Sequence, residues 1–144
     1  MHDEIADRIW QAVTHWVNDR QDRSVAILAT LATTQTPSMM FGVACGIATV
    51  AKAAVLKMQG PRPHPRFWGI ATTDGSRPED VIPAHHLFTA RFIAAHLNND
   101  TETALALYQA AYMRDDPDLW AACLRTLLAA AGEAVRAAVA EPHR

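Results

Sequence analysis

One segment of the chain, residues 59–83, is rich in proline and glycine and limits what the rest can fold into. It holds five of the eight prolines and three of the six glycines. Proline lacks a backbone N–H and biases the preceding residue away from helical angles. The run from Pro61 to Pro65 therefore cannot lie inside a helix or a central strand. Because the flanking sequence has helical periodicity, the segment predicts two helical blocks joined by a loop.

This pattern predicts an all-α fold in a single domain, residues 1–144. We expect a compact bundle of about five or six helices, with helical blocks at 3–58 and 83–140 and the loop at 59–82. A chain of 144 residues is long enough to bury roughly two-thirds of its unfolded surface. Its 50% hydrophobic and 19% charged residues are typical of a globular protein.

Charge and cysteine content narrow the class of protein further. A net charge of −2 gives no bulk attraction to nucleic acid or to anionic membranes. Cys45 and Cys123 lie in apolar helical stretches, so we expect reduced, buried thiols. The first residues include the acids Asp3, Glu4 and Asp7 where a signal peptide has basic residues. A cytoplasmic location is therefore expected.

A long uncharged span raises the question of a membrane segment. No charged residue occurs between Arg23 and Lys52. Pro37 interrupts this span, and the uninterrupted apolar part, residues 39–51, is shorter than the roughly 20 residues needed to cross a bilayer. The pattern therefore favours a core helix over a membrane span.

The first block is predicted to begin with two amphipathic helices. Asp3 is a suitable cap for the first, whose apolar residues recur at steps of three and four: Ile5, Ile9, Val13, Trp16 and Val17. The polar run 18–23 contains no glycine or proline, so one longer helix is the alternative. We favour a break, with Ser24 capping a second helix from residue 25 to about residue 34.

The third helix of the first block, residues 39–58, is apolar around its whole circumference. Such a helix belongs in the middle of a protein, and we expect it to be the most buried element. Gly42 and Gly46 leave a flat strip on which another helix can approach closely. Tight packing within one core is the simpler interpretation of that strip.

The second block is predicted to contain three more helices. Pro83 suits the first turn of a helix that ends near Leu97. Asn99, three residues before Glu102, has the spacing of a capping box that starts the next helix. The last helix runs from Pro117 to about residue 140, and its apolar stripe consists of Trp120, Cys123, Leu124, Leu127, Leu128, Ala131 and Val135. Within the loop, residues 67–76 form either a short hairpin or an ordered loop.

The candidate ligand-binding residues lie in and near the loop. Arg62, His64 and Arg66 give it positive charge beside Trp68. Such mixtures bind phosphates, carboxylates or single-stranded nucleic acid through charge and stacking. The alternative is that Phe67 and Trp68 anchor the loop to the core while the arginines stay in water. A polyproline segment offered to a partner is a further alternative.

The histidines of the second block are weaker candidates. His85 and His86 are adjacent on a predicted helix, and adjacent helical side chains diverge by about 100°. Neither has a ligand partner at the i, i+4 spacing of a helical zinc site, and His96 lies about three turns away. We therefore expect structural or solvent-facing roles and no metal. His85 and His86 remain candidates only as part of a site at the loop.

The acidic clusters at 79–80, 100–102 and 115–118 each precede or begin a predicted helix. Helix capping explains them without catalytic or cation-binding roles. Neither a serine nucleophile motif nor a phosphate-binding glycine loop is present. No catalytic residue and no cofactor is therefore assigned, and an enzyme is not favoured.

Three functions remain open. The first is a protein-interaction module, self-associating in the simplest case, because the apolar third helix and the tyrosine-bearing helix offer more hydrophobic surface than a small bundle hides. The second is a small-ligand-binding protein or enzyme, with an anionic ligand bound at the loop between the helical blocks. The third, nucleic-acid binding, requires Arg91 and the basic loop to form one patch.

Overall fold

The computed structural model describes residues 2–60, 74–114 and 116–140, and these form seven helices with no strand among them. In chain order they are α1 (His2–Val17), α2 (Gln21–Thr34), α3 (Pro37–Gln59), α4 (Pro78–Val81), α5 (Ala84–Leu97), α6 (Thr101–Met113) and α7 (Pro117–Ala140). The predicted all-α bundle is confirmed. The six longer helices are the six that the sequence predicts, and the single turn of α4 lies within the segment predicted as loop.

Most of the suggested hairpin at 67–76 lies outside the described residues, as does the side chain of the proposed Asp3 cap. The described end, residues 74–76, is a turn. The Asp74 carboxylate accepts hydrogen bonds from the backbone N–H and the hydroxyl of Ser76, while Gly75 has φ 78°. The positive φ expected of the Asp-Gly pair is confirmed there.

The core forms where α3 and α7 pack together, with α1 and α5 against both. Its largest fully buried side chains come from four of these helices: Val13, Val43, Ile47, Phe92, Leu127 and Leu128. The predicted stripe of α7 is confirmed, with Trp120 and Val135 partly buried at its edges. Helices from both blocks thus contribute to one hydrophobic cluster.

Helix α3 is the most buried element by number of residues but is open along one side. Eight of its 23 residues are buried, more than in any other described helix. The two glycines differ. A Cβ on Gly46 would come within 2.6 Å of Ile9 Cδ1, whereas a Cβ on Gly42 would meet nothing within 4 Å. Gly46 therefore permits the close approach of α1, while the strip at Gly42 is uncovered.

Helix α1 ends at a residue with left-handed backbone angles, Asp19, within the polar run 18–23. Asp19 has φ 61°, the N–H of Asp19 donates to Trp16 O, and the N–H of Arg20 donates to His15 O. These two bonds form a Schellman motif, which satisfies carbonyls at the end of α1. The predicted break is confirmed.

The predicted Ser24 cap is wrong. Helix α2 begins at Gln21, so Ser24 lies inside its first turn and is fully buried. The Ser24 hydroxyl donates to the backbone oxygen of Ala12 at 2.6 Å. The side chain thus joins α2 to α1 rather than satisfying the amides of α2.

We expect Ser24→Ala to lower the free energy of unfolding by about 1 kcal/mol, because it removes one buried interhelical hydrogen bond. The control is Thr30→Ala, since the exposed Thr30 hydroxyl donates only to Ala26 O within its own helix. That change should be close to neutral. Urea unfolding followed by circular dichroism measures both, and equal losses would contradict the role given to Ser24.

The corner between α5 and α6 corrects a second predicted cap. Asn99 does not cap α6; it has φ 55°, and its N–H donates to His96 O. The cap is Asp100, whose carboxylate accepts from the N–H and the hydroxyl of Thr103. The N–H of Asp100 donates to Ala95 O, which completes a second Schellman motif. The corner thus contains a C-terminal cap of α5 and an N-terminal cap of α6, and together they fix the turn between the two helices.

Candidate functional site

Only two of the six residues predicted to bind a ligand, His85 and His86, lie in the described part of the chain. Arg62, His64, Arg66 and Trp68 lie outside the described residues, as does Phe67. His85 and His86 are near the start of α5, partly buried and exposed respectively, with ring centroids 4.3 Å apart.

Metal binding finds no support in the described residues. His96 follows His85 by eleven residues, about 16 Å along the helix axis. Within the described ranges, no three His, Cys, Asp or Glu side chains are grouped so that they could hold a metal ion.

The acidic clusters act locally. Asp100 caps α6, and Asp116 accepts from the N–H of Leu119 at the start of α7. Glu79 instead forms ion pairs with Arg91 at 2.8 Å and Arg77 at 3.3 Å. Its own backbone N–H and these arginines lower the pKa of Glu79. The guanidinium of Arg91 is thus already paired with a carboxylate.

Neither cysteine has the properties of a nucleophile. Cys123 is buried as predicted, but Cys45 is only half-buried, at the edge of the open side of α3. Burial raises the pKa of each thiol to about 11. Both are therefore protonated at neutral pH, and the thiolate needed for attack is scarce.

Exposed apolar side chains are concentrated on two helices. Eight large hydrophobic residues of the described part are exposed, and five of them lie on α3 or α6: Met39, Leu56, Leu105, Tyr112 and Met113. Scattered exposed hydrophobic residues are normal, whereas grouping on neighbouring elements indicates an interaction surface.

The open side of α3 is a strip of mostly small residues. They recur at steps of three or four and therefore share one face of the helix: Gly42, Cys45, Thr49, Ala53 and Leu56. All are exposed except Cys45, which is half-buried. Small residues let a second helix backbone come close, as Gly46 already does for α1 on the adjoining side.

Helix α6 contacts α3 near the amino-terminal end of this strip. The Tyr108 ring contacts Phe41 of α3 at 5.1 Å, and the Tyr108 hydroxyl donates to Pro37 O. Tyr112 stacks parallel to Tyr108 with centroids 6.1 Å apart. Leu105 lies one turn from Tyr108 and one heptad from Tyr112, so it shares their side of α6. We call Gly42, Thr49, Leu56, Leu105 and Tyr112 together the α3–α6 face.

This surface carries little charge. No charged residue occurs between Arg23 and Lys52 or between Glu102 and Arg114. Burial raises the pKa of Tyr108 to about 12, with smaller contributions from Tyr112 and Cys45, so the ring beneath the face is also neutral. Contacts made through the α3–α6 face must be mainly apolar.

Helix α3 is also the one described helix that is long and apolar enough to cross a membrane. The most apolar 18-residue window has a mean hydropathy of 1.9, and 44% of it is buried. Core helices of soluble proteins also meet this criterion. Much of the apolar surface of α3 is therefore not covered by the other described helices.

Comparison with known proteins identifies no relative: no family model, curated protein or solved structure matches the chain.

Proposed function

We propose that this protein is a self-associating helical module, in which the α3–α6 face of one copy packs against the same face of a second copy. The observation that carries the proposal is the uncovered side of α3, the most apolar long helix, together with the exposed Leu105 and Tyr112 of α6. Covering such a surface removes apolar area from water, at about 25 cal/mol per Å².

A second copy suits the charge distribution of the face. In a two-fold arrangement each copy uses the same patch, so any charge at its centre would meet an identical charge. The centre of this face carries none. If the two α3 helices are antiparallel, Lys52 and Lys57 of each lie beside the uncharged amino-terminal half of the other.

The shape of the face suits a helix. Gly42, Cys45 and Thr49 leave room for close backbone approach, and Tyr112 supplies a rigid aromatic side chain of the kind that dominates interface energies. Helix α3 is roughly 34 Å long at 1.5 Å per residue. One helix can therefore provide a contact that extends along most of the bundle.

The test of this proposal is Leu105→Glu. Leu105 is 39% exposed, so a charge there should leave the monomer folded but raise the dissociation constant about tenfold or more, since an unpaired carboxylate would be buried in the interface. Sedimentation velocity over a range of concentrations should show twice the 15.8 kDa mass for the wild type. The variant should shift toward the monomer.

The matched control is Val139→Glu, because Val139 is 70% exposed near the end of α7, away from the face. It should associate like the wild type. A monomeric wild type at all concentrations, or equal effects of the two variants, would overturn the proposal. Flotation of a monomeric wild type with phospholipid vesicles, lost in Leu105→Glu, would instead assign the face to a lipid surface.

A further inference from the structure

A cavity of about 340 Å³ lies between the two helical blocks, beside the carboxyl-terminal half of α3. Its wall includes Lys52, Ala53 and Leu56 of α3 and Ala95 and His96 of α5. The volume falls within the range of small-molecule sites, which form preferentially between structural units. We call this cavity the Lys52 groove.

Lys52 supplies the positive charge of the groove. Its ammonium donates to Asn99 Oδ1 at 2.6 Å, and it forms no ion pair with any described carboxylate. The Schellman motif at the α5–α6 corner fixes the backbone of Asn99, and the Asn99 side chain binds the ammonium through an exposed hydrogen bond. Two of the three ammonium protons remain for a ligand. The start of α6 at Thr101, on the same wall, adds the partial positive charge of a helix amino terminus.

His96 does not add a second charge. Burial, and then the nearby Lys52 ammonium, lower the pKa of His96, so the imidazole is neutral at pH 7. The His96 ring packs against Phe92 with centroids 5.0 Å apart, and Nε2 is buried without a hydrogen-bond partner. Among the described residues that line the cavity, Lys52 is therefore the one cation, and His96 Nε2 is an unsatisfied polar atom.

A negative charge in the groove limits the charge that a ligand can carry. The Asp100 carboxylate also lines the cavity, and hydrogen bonds from Thr103 lower its pKa, so it remains negative. It repels any anionic ligand, and repels a dianion more strongly than a monoanion. The apolar wall of Ala53, Leu56 and Ala95 offers nothing to further polar groups.

We propose that the Lys52 groove binds a small monocarboxylate, with its carboxylate on the Lys52 ammonium and its apolar part against Ala53, Leu56 and Ala95. A carboxylate forms charge-assisted hydrogen bonds with the two free ammonium protons. Asp100 repels a monocarboxylate less than a phosphate dianion, and the apolar wall adds contacts that phosphate cannot make.

The test is a calorimetric titration with hexanoate, with hexanamide and inorganic phosphate as comparison ligands. Hexanoate should bind saturably. Hexanamide has nearly the same shape without the charge, and phosphate has the charge without the apolar part, so each should bind at least about tenfold more weakly. Equal binding of phosphate, or no saturable hexanoate binding, would overturn the proposal.

Three variants locate the ligand. Lys52→Met should abolish hexanoate binding, while Lys57→Met, on the same helix but outside the cavity lining, should not change it. Asn99→Gly keeps the left-handed backbone and removes only the side chain that holds Lys52, so binding should weaken several-fold. Binding that survives in Lys52→Met, or that is lost in Lys57→Met, would refute the assignment.

The pKa of His96, measured by NMR, gives an independent readout. The charged groups that line the cavity with His96 are Lys52 from α3 and Asp100 from the corner. Because a bound carboxylate offsets the charge of Lys52, the pKa of His96 should rise on binding, and binding should strengthen as pH falls through that pKa. An unchanged pKa at saturation would contradict the proposed position.

The groove does not depend on self-association. Since Thr49, Ala53 and Leu56 belong both to the cavity and to the open strip of α3, the titrations should be run on the wild type and on Leu105→Glu. Binding by a monomeric variant would support the groove even if the self-association proposal failed. If neither protein binds hexanoate, the proposal for the Lys52 groove is wrong, and the self-association result is unaffected.

Discussion

Replacing Phe92 with alanine is expected to lower the free energy of unfolding by about 3–5 kcal/mol. Phe92 is 0% exposed. Its ring lies 5.2 Å from that of Phe88, 5.0 Å from that of His96 and 6.5 Å from that of Phe41 on α3. Truncation would leave a cavity among rings that are fixed to two different helical blocks. Chemical denaturation followed by circular dichroism measures the loss.

The same experiment tests the predicted single domain. If the two blocks share one core, the wild type and Phe92→Ala should each unfold in a single transition at 222 nm and by tryptophan fluorescence. If Phe92→Ala does not fold, the milder variant Phe92→Leu can be measured in the same way. Trp10→Ala is the control, because Trp10 is 54% exposed and its loss should cost under about 0.5 kcal/mol. Two separate transitions would contradict the single-domain prediction.

The long helices were predictable because local and tertiary signals agree in them. Helix α7 begins at Pro117 and carries a buried stripe with helical spacing, so its bounds and its core face both follow from the sequence. Helix α3, predicted from residue 39, begins two residues earlier at Pro37, with the Thr36 hydroxyl accepting from the N–H of Met39. Proline at the first helical position marks both starts.

The helix corners were less predictable because neighbouring polar residues can play exchangeable roles. At the α5–α6 corner, Asn99 and Asp100 are both suitable caps, and only the backbone shows that Asn99 ends α5 while Asp100 starts α6. Ser24 resembles a cap but is buried beneath α1, because α2 begins earlier than its apolar pattern. Whether Ser24 caps α2 or is buried depends on how α1 packs against α2.

The open side of α3 shows a different limit of sequence reasoning. The apolar residues around its circumference indicate burial, but hydropathy cannot show whether the cover is the same chain, a second copy or lipid. The strip from Gly42 to Leu56 recurs at steps of three or four, as the buried side of α3 does, so the spacing shows two helix faces but not which of them is covered.

The Lys52 groove could not be predicted from spacing. Lys52 and His96 are 44 positions apart and become neighbours only when α5 packs on α3. The anionic-ligand site predicted at the loop stays a prediction, because its arginines lie outside the described residues. The Lys52 groove is a different site between the helical blocks, formed by residues that the sequence did not indicate.

The second large effect is expected at Gly132, where alanine should lower the free energy of unfolding by about 1–3 kcal/mol. A Cβ there would lie 2.5 Å from Trp16 Cγ and 2.8 Å from Trp16 Cβ, and would also overlap Cδ1. Since Trp16 Cβ is fixed to the backbone of α1, rotation of the side chain cannot relieve the overlap. The gain in helix propensity, about 1 kcal/mol, is too small to offset the separation of α1 from α7.

Gly42→Ala is the matched control, because it makes the same substitution inside a helix where a Cβ meets open space. It should raise the free energy of unfolding by about 0.5–1 kcal/mol. The oligomeric state must be the same for both variants, since association contributes to apparent stability. In Gly132→Ala the hydrogen bond from Trp16 Nε1 to Glu133 should also be lost, with a change in tryptophan fluorescence. If both substitutions stabilise the protein equally, α1 and α7 do not approach as closely as their contact at Gly132 requires.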